Sequence, residues 1–293
     1  MPLISMKPVL RAARDAGYAV GAFNPVDYAS MRAIVAAAEA ADAPVIVQTS
    51  IKTVKYWGAD VLSMWAHDLA GKSPVPVALH LDHGNDLDIV RTCVESGWTD
   101  VMVDASHEPY EDNLRITKEV DAVAAPKGIG IEAELGKISG VEEQIVVAEA
   151  DAVLADPDEA VAFCEAVDLA VFAPAIGTAH GVYKGEPNVA LDRLEEIGKR
   201  TATPLALHGG TGLEDDLIQT CIRLGCAKVN ISTNLKHAFI DGFAGYTREN
   251  PDDYEPLRVL GAQDRAMREL LEGKIRQFGG AGRGRALASS ILN

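Results

Sequence analysis

The sequence predicts an α/β chain folded as one (β/α)8 barrel, and three observations carry that prediction. Short β-rich runs alternate with helical patterns from one end to the other. There are eight such runs. Each is apolar nearly throughout instead of alternating, as in parallel strands covered on both faces. A length of 293 residues fits one α/β barrel, although it also fits two average domains. A doubly wound open sheet shares these features and remains the alternative.

The runs in order are Tyr18–Phe23, Pro44–Gln48, Val75–Leu81, Asp100–Asp104, Gly128–Glu134, Asp168–Ala173, Pro204–Leu207 and Ala227–Ile231. Helical spacing links them. Met31, Ile34, Val35 and Ala38 recur at helical intervals within Asp27–Ala41. Leu87, Val90, Cys93 and Val94 do so before Gly97, and Leu217, Cys221 and Leu224 before Gly225. A glycine just past a periodic stretch is a usual helix stop. Asp252–Phe278 reads as an extra helix beyond the eighth unit, and the GGAGRGRA that follows reads as a tail or loop. The whole of 1–293 is expected to be one barrel domain, with a mobile loop around 135–156 and a helical extension over 252–293.

Composition narrows the function. The formal net charge of −16 argues against nucleic-acid or anionic-membrane partners, which an acidic surface repels. A phosphorylated substrate stays allowed, because a nest of backbone N–H groups holds phosphate without net positive charge. No apolar run reaches the ~20 residues of a membrane span, and the first residues do not read as a signal peptide. A cytoplasmic location is the expectation. Cys93, Cys164, Cys221 and Cys226 form no CxxC pair and read as buried reduced thiols.

In a parallel barrel the chemistry sits where the strands end. Here the ends are polar one after another. Asn24 follows the first run, and Gln48, Thr49 and Ser50 follow the second. The third ends in Asp82-His83-Gly84 and the fourth in Asp104-Ala105-Ser106-His107. The fifth holds Glu132 and Glu134, two apart and so on one face. His180 follows the sixth, His208 ends the seventh, and Asn230 ends the eighth. Core packing requires none of this. Three histidines from three strands of a closed barrel converge near its axis, and three histidines with one open position are a common catalytic zinc shell. Asp82 beside His83 suits a general acid/base, or else a cap on the next helix. Glu132 and Glu134 suit a second ion, the N–H groups of metal-bound histidines, or a structural role. The long segment 135–156, with Glu142 and Glu143, suits a lid or a solvated loop. Glycine-rich turns at His180-Gly181 and Gly209-Gly210-Thr211-Gly212, with Ser232-Thr233, lie where barrels often bind phosphate.

Taken together, LHLDHG (79–84), VMVDASH (101–107), EAELGKISGVEE (132–143), AIGTAHGVYKG (175–185), LALHGGTGL (205–213) and KVNISTNLKHAF (228–239) resemble the class II ketose-bisphosphate aldolases. Both the fructose-bisphosphate and tagatose-bisphosphate branches are similar. The resemblance implies a TIM barrel and a lyase of carbohydrate metabolism such as glycolysis. The reaction would be reversible cleavage of a ketose 1,6-bisphosphate, or a related ketose phosphate, to dihydroxyacetone phosphate and an aldehyde through a zinc-stabilised enediolate. It also implies roles. His83, His180 and His208 would bind catalytic Zn2+, and Asp104 and Glu134 a second or displaced divalent ion. Asp82 would carry the proton at the C4 oxygen, and Glu142 would be the base on the lid. Gly181, Gly209, Gly210, Thr211, Asn230, Ile231, Ser232 and Thr233 would form the dihydroxyacetone-phosphate site, assisted by a monovalent cation such as Na+ or K+. Asn24 and Ser50 would touch substrate, and Lys184 and Lys236 would reach phosphate. Relatives are homodimers or homotetramers. One departure matters: Ser232 stands where fructose-bisphosphate enzymes often have Asp and tagatose-bisphosphate enzymes often have Ala. That leaves the aldehyde half of the substrate open. A metal-dependent hydrolase on the same barrel, and a non-catalytic sugar-phosphate-binding protein, are the competing readings.

Overall fold

The computed structural model describes residues 2–142, 145–147, 152–181 and 187–292. Eight parallel strands close into a barrel: β1 (Val20–Phe23), β2 (Val45–Ser50), β3 (Val77–Gly84), β4 (Asp100–Val103), β5 (Gly130–Leu135), β6 (Val171–Pro174), β7 (Leu205–Leu207) and β8 (Cys226–Ile231). They pair in chain order, and β8 returns to β1 through Val20↔Lys228 and Phe23↔Ile231. The closed order excludes the open doubly wound sheet, since the edge strands of such a sheet have no partner. Each of the eight runs named from sequence overlaps one of these strands, although the strand bounds differ from the runs by up to three residues.

Strand alternation sorts side chains into two cores. Outward residues such as Val47, Leu79, Leu81, Val101, Ile131, Phe172 and Val229 pack under the surrounding helices. Inward residues of the lower barrel are small or branched: Val20, Ala22, Ile46, Ala78, Val171, Ala173 and Ala206. They meet Met6, Val9, Leu10 and Ala13, the buried face of the N-terminal helix Met6–Asp15, which closes that end of the barrel. The register then places polar side chains above them. Ile46↔Ala78, Gln48↔His80 and Ser50↔Asp82 are paired rungs of β2 and β3, so successive inward layers turn from apolar to polar.

Several helices start on side-chain caps. Asp27 caps Tyr28–Ala40 in a reciprocal pair with Ser30, and Asp86 caps Leu87–Glu95. The cap of the latter helix being Asp86, Asp82 is left for another task. The C-terminal extension holds Pro256–Gln277, as expected, and a further helix, Gly284–Leu292. The Gly/Arg-rich stretch, read as tail or loop, is loop over 279–283, but from Gly284 it is helix, which corrects that part of the reading. In that helix Leu287, Ala288 and Ile291 fall at helical spacing; Leu287 joins the inner core and Ile291 packs against it. All four cysteines are buried free thiols. No described helix is long and apolar enough to cross a membrane.

The N-terminal helix is pinned by Asp100, the first residue of β4. Its carboxylate accepts from Ser5 Oγ at 2.7 Å and from Met6 N at 2.9 Å. Burial pushes this carboxyl up to about 7, against those hydrogen bonds. The folded state therefore binds a proton that the unfolded chain releases near pH 4. The resulting stability is full below pH 4 and is lost as pH rises towards 7. Thermal unfolding of Asp100→Asn should show a deficit of several degrees relative to wild type at pH 5 that shrinks by pH 8. A deficit independent of pH would refute this.

Candidate active site

The three histidines predicted from sequence meet at the C-terminal mouth of the barrel. Ring centroids of His83 and His208 are 4.8 Å apart, those of His83 and His180 5.1 Å, and those of His180 and His208 6.1 Å. One ring nitrogen from each lies within 4.8 Å of the other two. Tetrahedral zinc with ~2.0–2.1 Å bonds to nitrogen would draw them somewhat closer.

Each ring is aimed by its neighbours. His83 follows Asp82 on β3, and strict alternation would send the two to opposite faces. His83 instead has φ of 48°, a left-handed conformation unusual for a residue with a Cβ. That twist brings both side chains to the barrel mouth. Gly84 follows because a Cβ there would meet Met102 O at 2.2 Å. His83 Nδ1 then lies 2.7 Å from Asp104 Oδ2, which leaves Nε2 to face the cluster. The Asp104 carboxyl is pulled down to about 2: burial opposes ionisation, and the bonds from His83 and Ser106 overcome it. A carboxylate on the far nitrogen fixes the tautomer of a metal-binding histidine.

His208 is held the same way from below. Its Nε2 is 2.8 Å from Glu132 Oε1, and its Nδ1 is 3.2 Å from Glu134 Oε2. Burial alone would lower the His208 pKa, but the two carboxylates push it up to about 9. Glu132 has no exposed surface. Burial opposes its ionisation, yet the Lys228 charge, His80 and the His208 hydrogen bond hold it well below the usual carboxylate range. His80, also buried, lies 3.1 Å from Glu132 Oε2. Burial and the Lys228 charge lower its pKa, so it stays a neutral member of the layer beneath the site.

Asp82 is gripped by three amides. Asn24 Nδ2 donates to Oδ2 at 2.8 Å, Gln48 Nε2 to Oδ2 at 3.2 Å, and Asn230 Nδ2 to Oδ1 at 3.2 Å. Gln48 also donates to Asn24 Oδ1 at 2.9 Å. Asn24, expected at substrate, thus first orients Asp82. Ser50 caps the helix Ile51–Trp57.

The glycine turns lie beside the histidines. Gly209 has φ of 67°, and a Cβ on it would meet Ala179 O at 2.5 Å. His208 can therefore approach the strand that bears His180 only if glycine follows it. Gly181, Gly210 and Thr211 line the same mouth after β6 and β7, and Ile231, Ser232 and Thr233 lead from β8 into the helix Thr233–Glu249. Ser232 takes the N-cap position without a side-chain cap hydrogen bond. The 135–156 segment contains a hairpin, Ser139–Glu142 with Ile145–Val147, and Ser139–Gly140 pairs in parallel with Ala179–His180. Glu142 ends the first hairpin strand; its side chain, like Lys184, lies outside the described residues. His107 is exposed and pairs with Glu108, and His67 contacts Gly97 O, so neither joins the cluster.

Sequence reasoning missed two buried members of the site, Gln48 as a holder of Asp82 and Lys228 as the partner of Glu132. The second had a signal: a lysine inside an apolar run covered on both faces needs a buried anion.

This geometry agrees with the comparisons. The model of the class-II fructose-bisphosphate aldolase family matches residues 4–283. A fructose-bisphosphate aldolase of Staphylococcus epidermidis is 40% identical over 289 residues, covering 97% of this chain and 99% of that protein. A probable fructose-bisphosphate aldolase of Bacillus subtilis is 40% identical over 95% of this chain and 98% of its own length. Among solved structures, the YdjI aldolase of Escherichia coli K12 superposes with a TM-score of 0.84 at 32% identity, covering 96% of this chain and 99% of that one. The chain belongs to the class-II fructose-bisphosphate aldolase family.

Proposed function

We propose that this mouth cleaves a ketose phosphate reversibly to dihydroxyacetone phosphate and an aldehyde, with His83, His180 and His208 holding a zinc ion. The observation that carries the reading is the convergence of three imidazoles beside a carboxylate gripped by three amides. The donor set fits the metal. It is all nitrogen, and carboxylates aim the two buried rings, His83 and His208. A bound zinc ion would supply Lewis acidity at the ketose carbonyl.

The chain's own groups do the rest. Asp82 takes the C4 hydroxyl proton in cleavage and returns it in condensation. Its three amide donors hold the carboxylate in one orientation, so little reorganisation is needed at the moment of transfer. Glu142 is assigned the proton at the dihydroxyacetone carbon, delivered by the 135–156 segment as a mobile cover. The pairing of its hairpin with the strand of His180 supports this role. Gly181, Gly209, Gly210, Thr211, Asn230, Ile231, Ser232 and Thr233 are assigned to dihydroxyacetone phosphate, with Lys184 and a monovalent cation as helpers. Turns of this kind leave backbone N–H groups for phosphate. Asn24 and Ser50 are assigned to the edge of the substrate. Glu134, beside His208 Nδ1, and Asp104 are assigned to a second or displaced divalent ion. The aldehyde is the half that Ser232 governs, and offering dihydroxyacetone phosphate with a panel of aldehydes identifies it.

Assembly is proposed from the surface. Ile240 and Phe243 on Thr233–Glu249, and Leu257 and Leu260 on Pro256–Gln277, are exposed on two helices packed together. Such a patch suits a homodimer or homotetramer contact.

Three outcomes test these assignments. EDTA should abolish aldol turnover and added zinc should restore it; activity that survives chelation would refute the metal. Asp82→Ala should lower kcat at least a thousandfold, roughly the cost of losing a proton-transfer group, while zinc content by elemental analysis stays at wild type. Near-normal turnover would sink the role of Asp82. Phe243→Glu should shift light-scattering mass towards the monomer, and an unchanged mass would place the contact elsewhere.

A further inference from the structure

Lys228 stands in the middle of β8 with no exposed surface, and no step above uses it. Its Nζ donates to Asn230 Oδ1 at 2.8 Å and to Glu132 Oε1 at 3.2 Å, and lies 2.8 Å from Glu132 Oε2. An ammonium donates hydrogen bonds and never accepts them. That one-sidedness propagates in two directions.

On one side, Asn230 must present its oxygen to Lys228. Its Nδ2 is then left to donate to Asp82 Oδ1. An asparagine amide reverses by a simple rotation. Reversed, it would set a carbonyl oxygen against the Asp82 carboxylate. On the other side, the ammonium straddles both oxygens of Glu132 and pins the carboxylate plane. Glu132 Oε1 then accepts from His208 Nε2, so Nδ1 of that ring, 3.2 Å from Glu134 Oε2, is the nitrogen that remains for an ion. With the opposite tautomer Nδ1 would carry the N–H, directed at Glu134, and would have no lone pair for an ion.

We propose that Lys228 is a positioning residue that sets the direction of both hydrogen-bond chains, one ending on the metal-facing nitrogen of His208 and the other on the carboxylate of Asp82. The inference rests on the reading of His208 as a zinc ligand and Asp82 as the proton carrier. It makes one buried cation the common reference for two groups on opposite strands.

The test uses the full-length protein and three variants. Lys228→Met keeps the side-chain length and donates nothing. Glu132→Gln combined with Lys228→Met leaves no buried charge of this pair without its partner, so it keeps the fold where the single variant is destabilised. Ile131→Ala, next to Glu132 but packed in the outer core, is the stability control. Four quantities are read: thermal midpoint, zinc affinity by competition with a chromophoric chelator, the visible spectrum of the cobalt-substituted protein, and kcat with its KM at saturating zinc. Lys228→Met and the double variant should each bind zinc about 10–100-fold more weakly, with an altered cobalt spectrum and kcat lowered about tenfold or more. The double variant should recover thermal stability without recovering zinc affinity. Ile131→Ala should lose stability and keep both zinc affinity and spectrum. Wild-type zinc affinity and spectrum in Lys228→Met would overturn the proposal, as would zinc affinity that simply follows the thermal midpoint across all variants. Failure of the wild-type protein to bind zinc would overturn the metal reading beneath it.

Discussion

A carboxylate buried on the axis of a barrel must be satisfied by the barrel itself, and Glu132 is such a group. Taking a carboxylate or an ammonium out of water costs several kcal/mol per ion even after relaxation. Glu132 bears that cost because His208, His80 and Lys228 converge on it from three other strands or strand ends. The arrangement is no efficient way to stabilise a fold, since a well-packed apolar trio would do as well or better. It does something apolar side chains cannot: it assigns which atoms donate and which accept in a layer with no exposed surface. The site above inherits those assignments.

Two backbone facts turn that layer into a site. The period of two along each strand stacks inward residues into rungs, so that Ala78, His80 and Asp82 rise through β3 from the plugged end to the mouth. Continued without interruption, the same period would exclude His83. The left-handed backbone at His83 breaks the alternation at the last rung. Such a conformation costs of order 1 kcal/mol or more for a residue with a Cβ. Its return is that two adjacent side chains, Asp82 and His83, both reach the barrel mouth.

Much of the fold was legible because buried parallel strands leave a coarse signature. Eight apolar runs, each ending in polar residues, survive any error of two residues at their boundaries. The convergence of His83, His180 and His208 was legible for the same reason, since a closed barrel brings strand ends together regardless of detail. What sequence did not show was direction. Asn24, expected at substrate, also donates its amide to Asp82, which no sequence pattern announces. Glu132 had three readings, and only side-chain distances selected the one in which it holds a histidine. Lys228 was hidden by its neighbours, because a single charge in an apolar run reads as noise until its partner is located. The helix Gly284–Leu292 was masked by glycines before it, whose turn residues outweighed the short periodic stretch that follows.

The hairpin that pairs with the strand of His180 has a consequence of a different kind. Ser139–Gly140 forms its ladder directly with Ala179–His180, and Gly140 is so close that a Cβ would meet His180 O at 2.3 Å. The backbone that carries one corner of the histidine cluster is therefore also the docking edge of the segment that leads to Glu142. Two binding events that share a structural element are thermodynamically coupled, and the coupling is reciprocal. If the cluster holds an ion as proposed, whatever factor its occupancy adds to the pairing of the hairpin, the paired hairpin adds to the retention of the ion. On that reading the proposed metal and the hairpin would be mutual effectors within a single chain.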